Sequence, residues 1–148
     1  MKFKCYVDIN LPIDKVVKEY DSPDNLKEWQ DGFVSYKHKS GIAGTVGAQA
    51  TMIYKIGKRD MVLTETILIN DLPHVFKGQY DYKEGSNTMT NTFRSITGSV
   101  TRWTAEVEYT RMDSLMMKMM SKIMPKMFKK QTQKWLDQFK VFVEKKNN

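Results

Sequence analysis

Six stretches of alternating apolar and polar residues follow one another between residues 33 and 112, with only short breaks between them. This period of two predicts strands over residues 33–40, 47–57, 61–70, 74–83, 87–96 and 99–112. The breaks are rich in Gly, Asp, Asn and Pro, and they are too short for the crossovers that parallel neighbours need. The pattern therefore predicts an antiparallel meander.

The segments on either side of the meander predict one more strand and three helical segments. Residues 3–9 alternate like a half-buried strand, and two short helices are predicted over residues 13–20 and 22–31. An apolar stripe at helical spacing predicts a long helix from about Asp113 or Ser114 to Glu144. Pro125 lies inside this helix and predicts either a kink or two helices meeting at an angle.

The length and composition fit a single globular domain spanning residues 1–148, with 41% hydrophobic and 28% charged residues. A twisted sheet of seven strands has one apolar face, which the long helix can cover. Such a curved sheet need not fill its interior, so we expect an apolar cavity. The N-terminal residues read as a strand rather than as a signal peptide, which predicts a cytoplasmic location.

The net charge of +7 is concentrated in the C-terminal segment. Residues 1–113 contain 15 Lys and Arg against 15 Asp and Glu, whereas residues 114–148 contain nine lysines against Asp137 and Glu144. The predicted sheet therefore carries no net basic charge, and we expect no nucleic-acid partner.

Four segments resemble motifs of the START-like superfamily, also called SRPBCC or Bet v 1-like. The segments are residues 11–16 after the first strand, 22–29 with Ser-Pro-Asp and Trp, 44–47 with two glycines, and 97–104 around Gly98. The resemblance covers essentially the whole chain. It implies an α+β helix-grip fold: a seven-stranded curved antiparallel sheet around a long C-terminal helix, with two short helices after the first strand.

The superfamily includes lipid and sterol carriers, binders of hormones and metabolites, polyketide aromatase/cyclases and co-chaperone domains. Membership implies a cavity and leaves the reaction open. A metal site and a cofactor are not expected, because His38, His74 and Cys5 lack companions at ligand spacing.

Glu65 is the polar residue of most interest, because it shares the parity of Leu63 and Ile67 in an apolar strand. If that parity faces inward, burial would raise the pKa of its carboxyl group. One hypothesis is that Glu65 contacts a ligand. The alternative is a structural carboxylate that pairs with Arg94 or hydrogen-bonds Tyr80 or Tyr82.

The methionine cluster is the most unusual feature, since seven of the eleven methionines lie between Met112 and Met127. They could line the cavity, where thioethers adapt to ligands of varied shape, or pack in an ordinary core. Together with the nearby lysines they could also contact a membrane surface or a partner helix.

The main hypothesis is a non-enzymatic binder or carrier of a small hydrophobic ligand such as a lipid, an isoprenoid or an aromatic metabolite. The alternatives are a polyketide cyclase or dehydratase and a co-chaperone-like interaction domain, as a monomer or a dimer. The predicted ligand-binding residues are Met52, Tyr54, Leu63, Glu65, Ile67, Phe76, Tyr80, Met89, Asn91, Phe93, Trp103, Met120, Met124 and Phe128.

Overall fold

The computed structural model describes residues 1–148 and contains one antiparallel sheet with the strand order β1-β7-β6-β5-β4-β3-β2. Six of the strands form the predicted meander, and β1 closes it by pairing with β7. The strands are β1 (Lys2–Ile9), β2 (Phe33–Ser40), β3 (Gln49–Ile56), β4 (Arg59–Asp71), β5 (Val75–Tyr82), β6 (Gly85–Thr97) and β7 (Val100–Met112).

Two short helices follow β1, as the sequence predicted. They are α1 (Ile13–Tyr20) and α2 (Leu26–Trp29), and a 3-10 turn at Pro23–Asn25 leads into α2. Together with the sheet and the C-terminal helical segment they form the helix-grip fold, so the predicted fold class is confirmed.

The C-terminal segment forms two helices, α3 (Leu115–Ile123) and α4 (Pro125–Lys146). Ser114 caps α3 by accepting a hydrogen bond from the Met117 amide at 3.3 Å. Pro125 is the first residue of α4, where its missing amide hydrogen costs nothing. The predicted interruption at Pro125 therefore takes the form of two helices. None of the helices has the length and apolar character that a membrane span requires.

Helix α4 packs against β1 and α2, over one half of the sheet. Trp103 of β7 is fully buried there, with its ring centroid 5.7 Å from that of Trp29 and 5.1 Å from that of Phe139. A smaller cluster lies on β3 and β4, where Tyr54 stacks on Trp135 of α4 at 5.6 Å. The main core thus lies beneath α4, and α1 packs on β6 and β7, where its Tyr20 ring contacts Phe76 of β5 and Phe93 of β6.

Candidate functional site

Glu65 lies on the helix-facing side of β4 and is 8% exposed. Its Oε2 accepts a hydrogen bond from the Tyr80 hydroxyl at 2.9 Å, and its Oε1 accepts one from the Tyr36 hydroxyl at 3.4 Å. The parity that Glu65 shares with Leu63 and Ile67, whose orientation the sequence left open, therefore faces inward. The carboxyl group therefore lies inside the fold, held by two phenols.

Tyr80 reaches Glu65 because Gly78 has no side chain. Tyr80 is the register partner of Glu65 across β4 and β5, and its ring folds back along β5 over Gly78. A Cβ atom at position 78 would lie 2.7 Å from the Tyr80 hydroxyl oxygen and 2.9 Å from its Cζ. The glycine thus leaves the space that the tyrosine occupies, in agreement with the close approach expected at a mid-strand glycine.

Burial is the dominant influence on the ionisation of this group. It raises the pKa of the Glu65 carboxyl, while the hydrogen bonds from Tyr80 and Tyr36 act in the opposite direction. Burial, reinforced by the negative charge of Glu65, raises the pKa of Tyr36 to about 12 and that of Tyr80 well above its usual range. Both phenols therefore keep their protons at neutral pH and act as donors.

The structure decides among the structural partners considered for Glu65. Arg94 is exposed on the outer face of β6, so the suggested pairing of Arg94 with Glu65 is wrong. Tyr82 makes no side-chain hydrogen bond to the carboxyl group, and Tyr80 does. Of the structural alternatives, the geometry supports a carboxyl group that hydrogen-bonds Tyr80. This bond does not prevent Glu65 from also contacting a ligand.

Two further residues of this group, Tyr20 and Tyr36, are not among the predicted site residues. Alternation from Phe33 would place Tyr36 on the outer face of β2. A register shift between Phe33 and Ser35 turns Tyr36 inward, opposite Met52. In the sequence, Tyr20 belongs to the apolar stripe that predicts α1. Such a stripe does not distinguish a residue of a binding site from a residue of the core.

Tyr20 and Tyr80 are half-buried tyrosines on the inner side of the sheet, near Glu65. Burial raises the pKa of both hydroxyl groups well above the usual range, which reflects how deeply they are enclosed. Both residues nevertheless keep part of their surface accessible, as does Met89 on the neighbouring strand β6. We call the inner side of the sheet at the half-buried residues Tyr20, Tyr80 and Met89 the tyrosine cleft.

Most of the other predicted residues on the sheet are packed in the core. Asn91 is 1% exposed and its amide group is occupied: Oδ1 accepts from Trp103 Nε1 at 2.9 Å, and Nδ2 donates to the Phe76 carbonyl at 3.4 Å. Asn91 thus has a structural role. The buried residues of the predicted set are Met52, Tyr54, Leu63, Ile67, Phe76, Phe93 and Trp103.

The predicted residues on α3 and α4 lie apart from Glu65. Met120 and Met124 line a shallow surface cavity of about 130 Å³ together with Met116, Met119 and Ile123. Met124 is 52% exposed at the break between the helices. Phe128 packs edge-on against Tyr109 of β7, with ring centroids 5.3 Å apart. The helix methionines therefore form a second, external group.

No family model matches the chain, and no curated protein matches it. Several solved structures match the fold of this chain. The Zhui aromatase/cyclase from Streptomyces sp. R1128 has a TM-score of 0.82 at 7% identity, covering 100% of this chain and 96% of that one. TTHA0849 from Thermus thermophilus has a TM-score of 0.78 at 12% identity over 100% of both chains.

A third similar structure, Ara h 8.0201, has a TM-score of 0.73 at 11% identity and covers 98% of both chains. At these identities the likeness concerns the fold. The sequence resemblance is confirmed at that level: the chain has the helix-grip fold that the resemblance implied.

Proposed function

We propose that this protein binds and carries a small hydrophobic molecule, such as a lipid, an isoprenoid or an aromatic metabolite, in the tyrosine cleft. The observation that carries the proposal is the accessible surface of Tyr20 and Tyr80, two deeply enclosed side chains beside a buried carboxyl group. Apolar clefts with a few convergent polar groups are the usual form of small-molecule sites.

Apolar burial would supply most of the binding free energy, at roughly 25 cal/mol per Å² before the costs of ordering. Met89 offers an unbranched thioether that adapts to ligand shape. The Glu65 group, with Tyr36 and Tyr80, would fix the orientation of one polar end of the ligand. The fold is compatible with this division of roles, because α4 packs on β1 and α2 while α1 packs on β6 and β7.

A fluorescence titration with the neutral probe N-phenyl-naphthylamine tests the proposal. The Met89→Trp variant should fill the cleft and abolish the blue-shifted emission of the bound probe. Thr90→Trp is the matched control, because Thr90 is the next residue of β6 and lies on the opposite face of the sheet. Equal probe binding by Met89→Trp and by the wild type would contradict the proposal. Circular dichroism should confirm that both variants are folded.

A second candidate function is proton transfer during cyclisation or dehydration of a polyketide chain. It is favoured by two ionisable groups, Glu65 and Tyr80, that lie 2.9 Å apart beside the cleft. The likeness in fold to the Zhui aromatase/cyclase is compatible with it. Incubation with a poly-β-ketone chain, followed by mass spectrometry, should then give a product lighter by the mass of water. Formation of that product at an equal rate by Glu65→Gln would contradict a role for the carboxyl group.

We also propose that the external face of α3 contacts anionic membranes. Leu115, Met116, Met119 and Ile123 form one exposed stripe along the helix, and Lys118 and Lys122 border it on one side. Neither lysine forms a salt bridge within the chain, so both are free to meet acidic headgroups. An apolar stripe beside a row of lysines is typical of a helix that lies in a bilayer interface.

Vesicle pelleting tests the membrane contact. The protein should sediment with phosphatidylserine-containing vesicles and less with pure phosphatidylcholine vesicles, and Ile123→Glu should weaken sedimentation. Val141→Glu is the control, because Val141 is equally exposed on α4 and lies outside the stripe. Failure to sediment with either vesicle would contradict the proposal and would favour the protein-interaction alternative for this surface. The cytoplasmic location and the oligomeric state stay predictions.

A further inference from the structure

We propose that the ligand presents a hydrogen-bond donor, a hydroxyl or an amine, to the Glu65 group, and that carboxylate ligands are excluded. This inference rests on the proposed binding function and specifies the ligand class. Lipids that end in an alcohol or an amine would then bind, whereas fatty acids would not.

The hydrogen-bonding capacity that remains at the Glu65 group is mainly that of an acceptor. The hydroxyl hydrogens of Tyr80 and Tyr36 are both directed at the carboxyl oxygens, at 2.9 and 3.4 Å. A carboxylate offers about four acceptor positions, so positions remain unused after these two bonds. The phenolic oxygens also keep acceptor capacity. A ligand that donates a hydrogen bond is therefore complementary to the site.

The charges around the Glu65 group also favour a ligand that is not an anion. The groups that influence the pKa of Glu65 are its own burial and two neutral tyrosines, with no Lys, Arg or His among them. The only other charge that acts on Tyr20 and Tyr36 is the carboxylate of Asp21. When Glu65 is ionised, a ligand carboxylate would thus enter a desolvated site that contains negative charge, and no cation is among the groups that shift the pKa of Glu65.

Arg94 of β6 and Arg102 of β7 lie on the other face of the sheet. Arg102 of β7 forms a bidentate pair with Asp8 at 2.8 and 2.9 Å and lies over the Tyr6 ring. Arg94 on the neighbouring strand is exposed on the same side. Neither arginine can reach the Glu65 group without passing through the sheet, so neither can neutralise an anion bound there.

Three naphthalene probes of one body and different end groups test the inference on the wild-type chain at about pH 8, where a carboxylic acid is ionised. They are methylnaphthalene, naphthalenemethanol and naphthoic acid, with affinity measured by calorimetry. The alcohol should bind about tenfold more tightly than the methyl compound, the value of one hydrogen bond to a charged group. The acid should bind at least about tenfold more weakly than the alcohol.

The probe series separates the two proposals. If methylnaphthalene binds and the acid binds as tightly as the alcohol, this inference is overturned and the proposed function stands. If none of the three binds, the proposed function itself fails.

The Glu65→Gln variant tests whether Glu65 causes the preference for the alcohol over the acid. Glu65→Gln replaces the carboxylate with a neutral amide, so the ratio of alcohol to acid affinity should fall toward one. Glu108→Gln is the control, because Glu108 is an exposed acid on the outer face of β7, and it should keep the wild-type ratio. An unchanged ratio in Glu65→Gln would overturn the assignment to this residue.

Discussion

The Gly78→Ala substitution tests whether the Tyr80 ring needs the space above Gly78 to hold Glu65. The added Cβ would lie 2.7 Å from the Tyr80 hydroxyl oxygen, 2.9 Å from Cζ and 3.1 Å from Cε2. All three distances are shorter than an ordinary van der Waals contact, so the ring must move. Because the ring is also hydrogen-bonded to Glu65 at 2.9 Å, its movement breaks that bond.

The expected magnitude is the difference between two opposing effects. The loss of a hydrogen bond to a charged group costs about 1.5–3 kcal/mol. Alanine restricts the unfolded chain more than glycine does, which returns about 0.4–1 kcal/mol, since Gly78 has no positive φ that alanine would strain. At a pH where Glu65 is ionised, the net loss in the free energy of unfolding should therefore be about 0.5–2.5 kcal/mol.

Urea unfolding monitored by tryptophan fluorescence measures this loss. Gly98→Ala is the matched control, because Gly98 also lacks a positive φ and an added Cβ there would meet no atom within 4 Å. It should leave the free energy of unfolding unchanged or slightly raised. In a Tyr80→Phe background the cost of Gly78→Ala should shrink, since the bond to Glu65 is already absent. A Gly78→Ala variant as stable as the wild type would refute the reasoning.

Three further predictions concern single side chains. Because burial raises the pKa of Glu65, the stability due to this group is complete below its unfolded pKa and is lost as pH rises through its folded pKa. In urea midpoints measured upward from about pH 4, near the unfolded pKa of a glutamate, Glu65→Gln should lack that decline. Lys146→Met removes the 2.8 Å ion pair with the buried Glu19, which lowers the pKa of that carboxyl group. The loss in the free energy of unfolding should be about 1 kcal/mol above the pKa of Glu19 and small below it. Urea unfolding at one pH above and one pH below that pKa measures the difference. Trp103→Phe leaves the Asn91 Oδ1 without its donor and opens a void. Thermal and urea unfolding should show that the free energy of unfolding falls by about 2–4 kcal/mol. An unchanged free energy of unfolding would contradict the structural role assigned to Asn91.

Period-two alternation and short breaks were enough to predict the strands and their antiparallel order, because each strand has one face in the core. The same alternation placed Glu65 on one face with Leu63 and Ile67, and the structure shows that this face is inward. The position of Pro125 predicted the interruption of the C-terminal helix. These features depend on local periodicity and on backbone chemistry, which a single sequence contains.

Features that depend on tertiary contacts could not be predicted in this way. The bulge in β2 that turns Tyr36 inward follows from pairing with β3, and alternation alone gives the opposite face. Asn91 was predicted to bind a ligand, and only the register of β6 with β7 reveals that Trp103 Nε1 donates to its Oδ1. Likewise, the methionine pattern covers more than one side of α3, so it could not indicate which side faces outward.

Methionine methyl NMR tests the central claim most directly, because the chain has eleven methionines and they lie in different surroundings. Titration with N-phenyl-naphthylamine should shift the methyl signal of Met89 in the tyrosine cleft through the ring current of the bound probe. The exposed Met116 and Met119 of α3 should keep their signals. Shifts confined to Met116 and Met119, with Met89 unchanged, would contradict a ligand site inside the sheet.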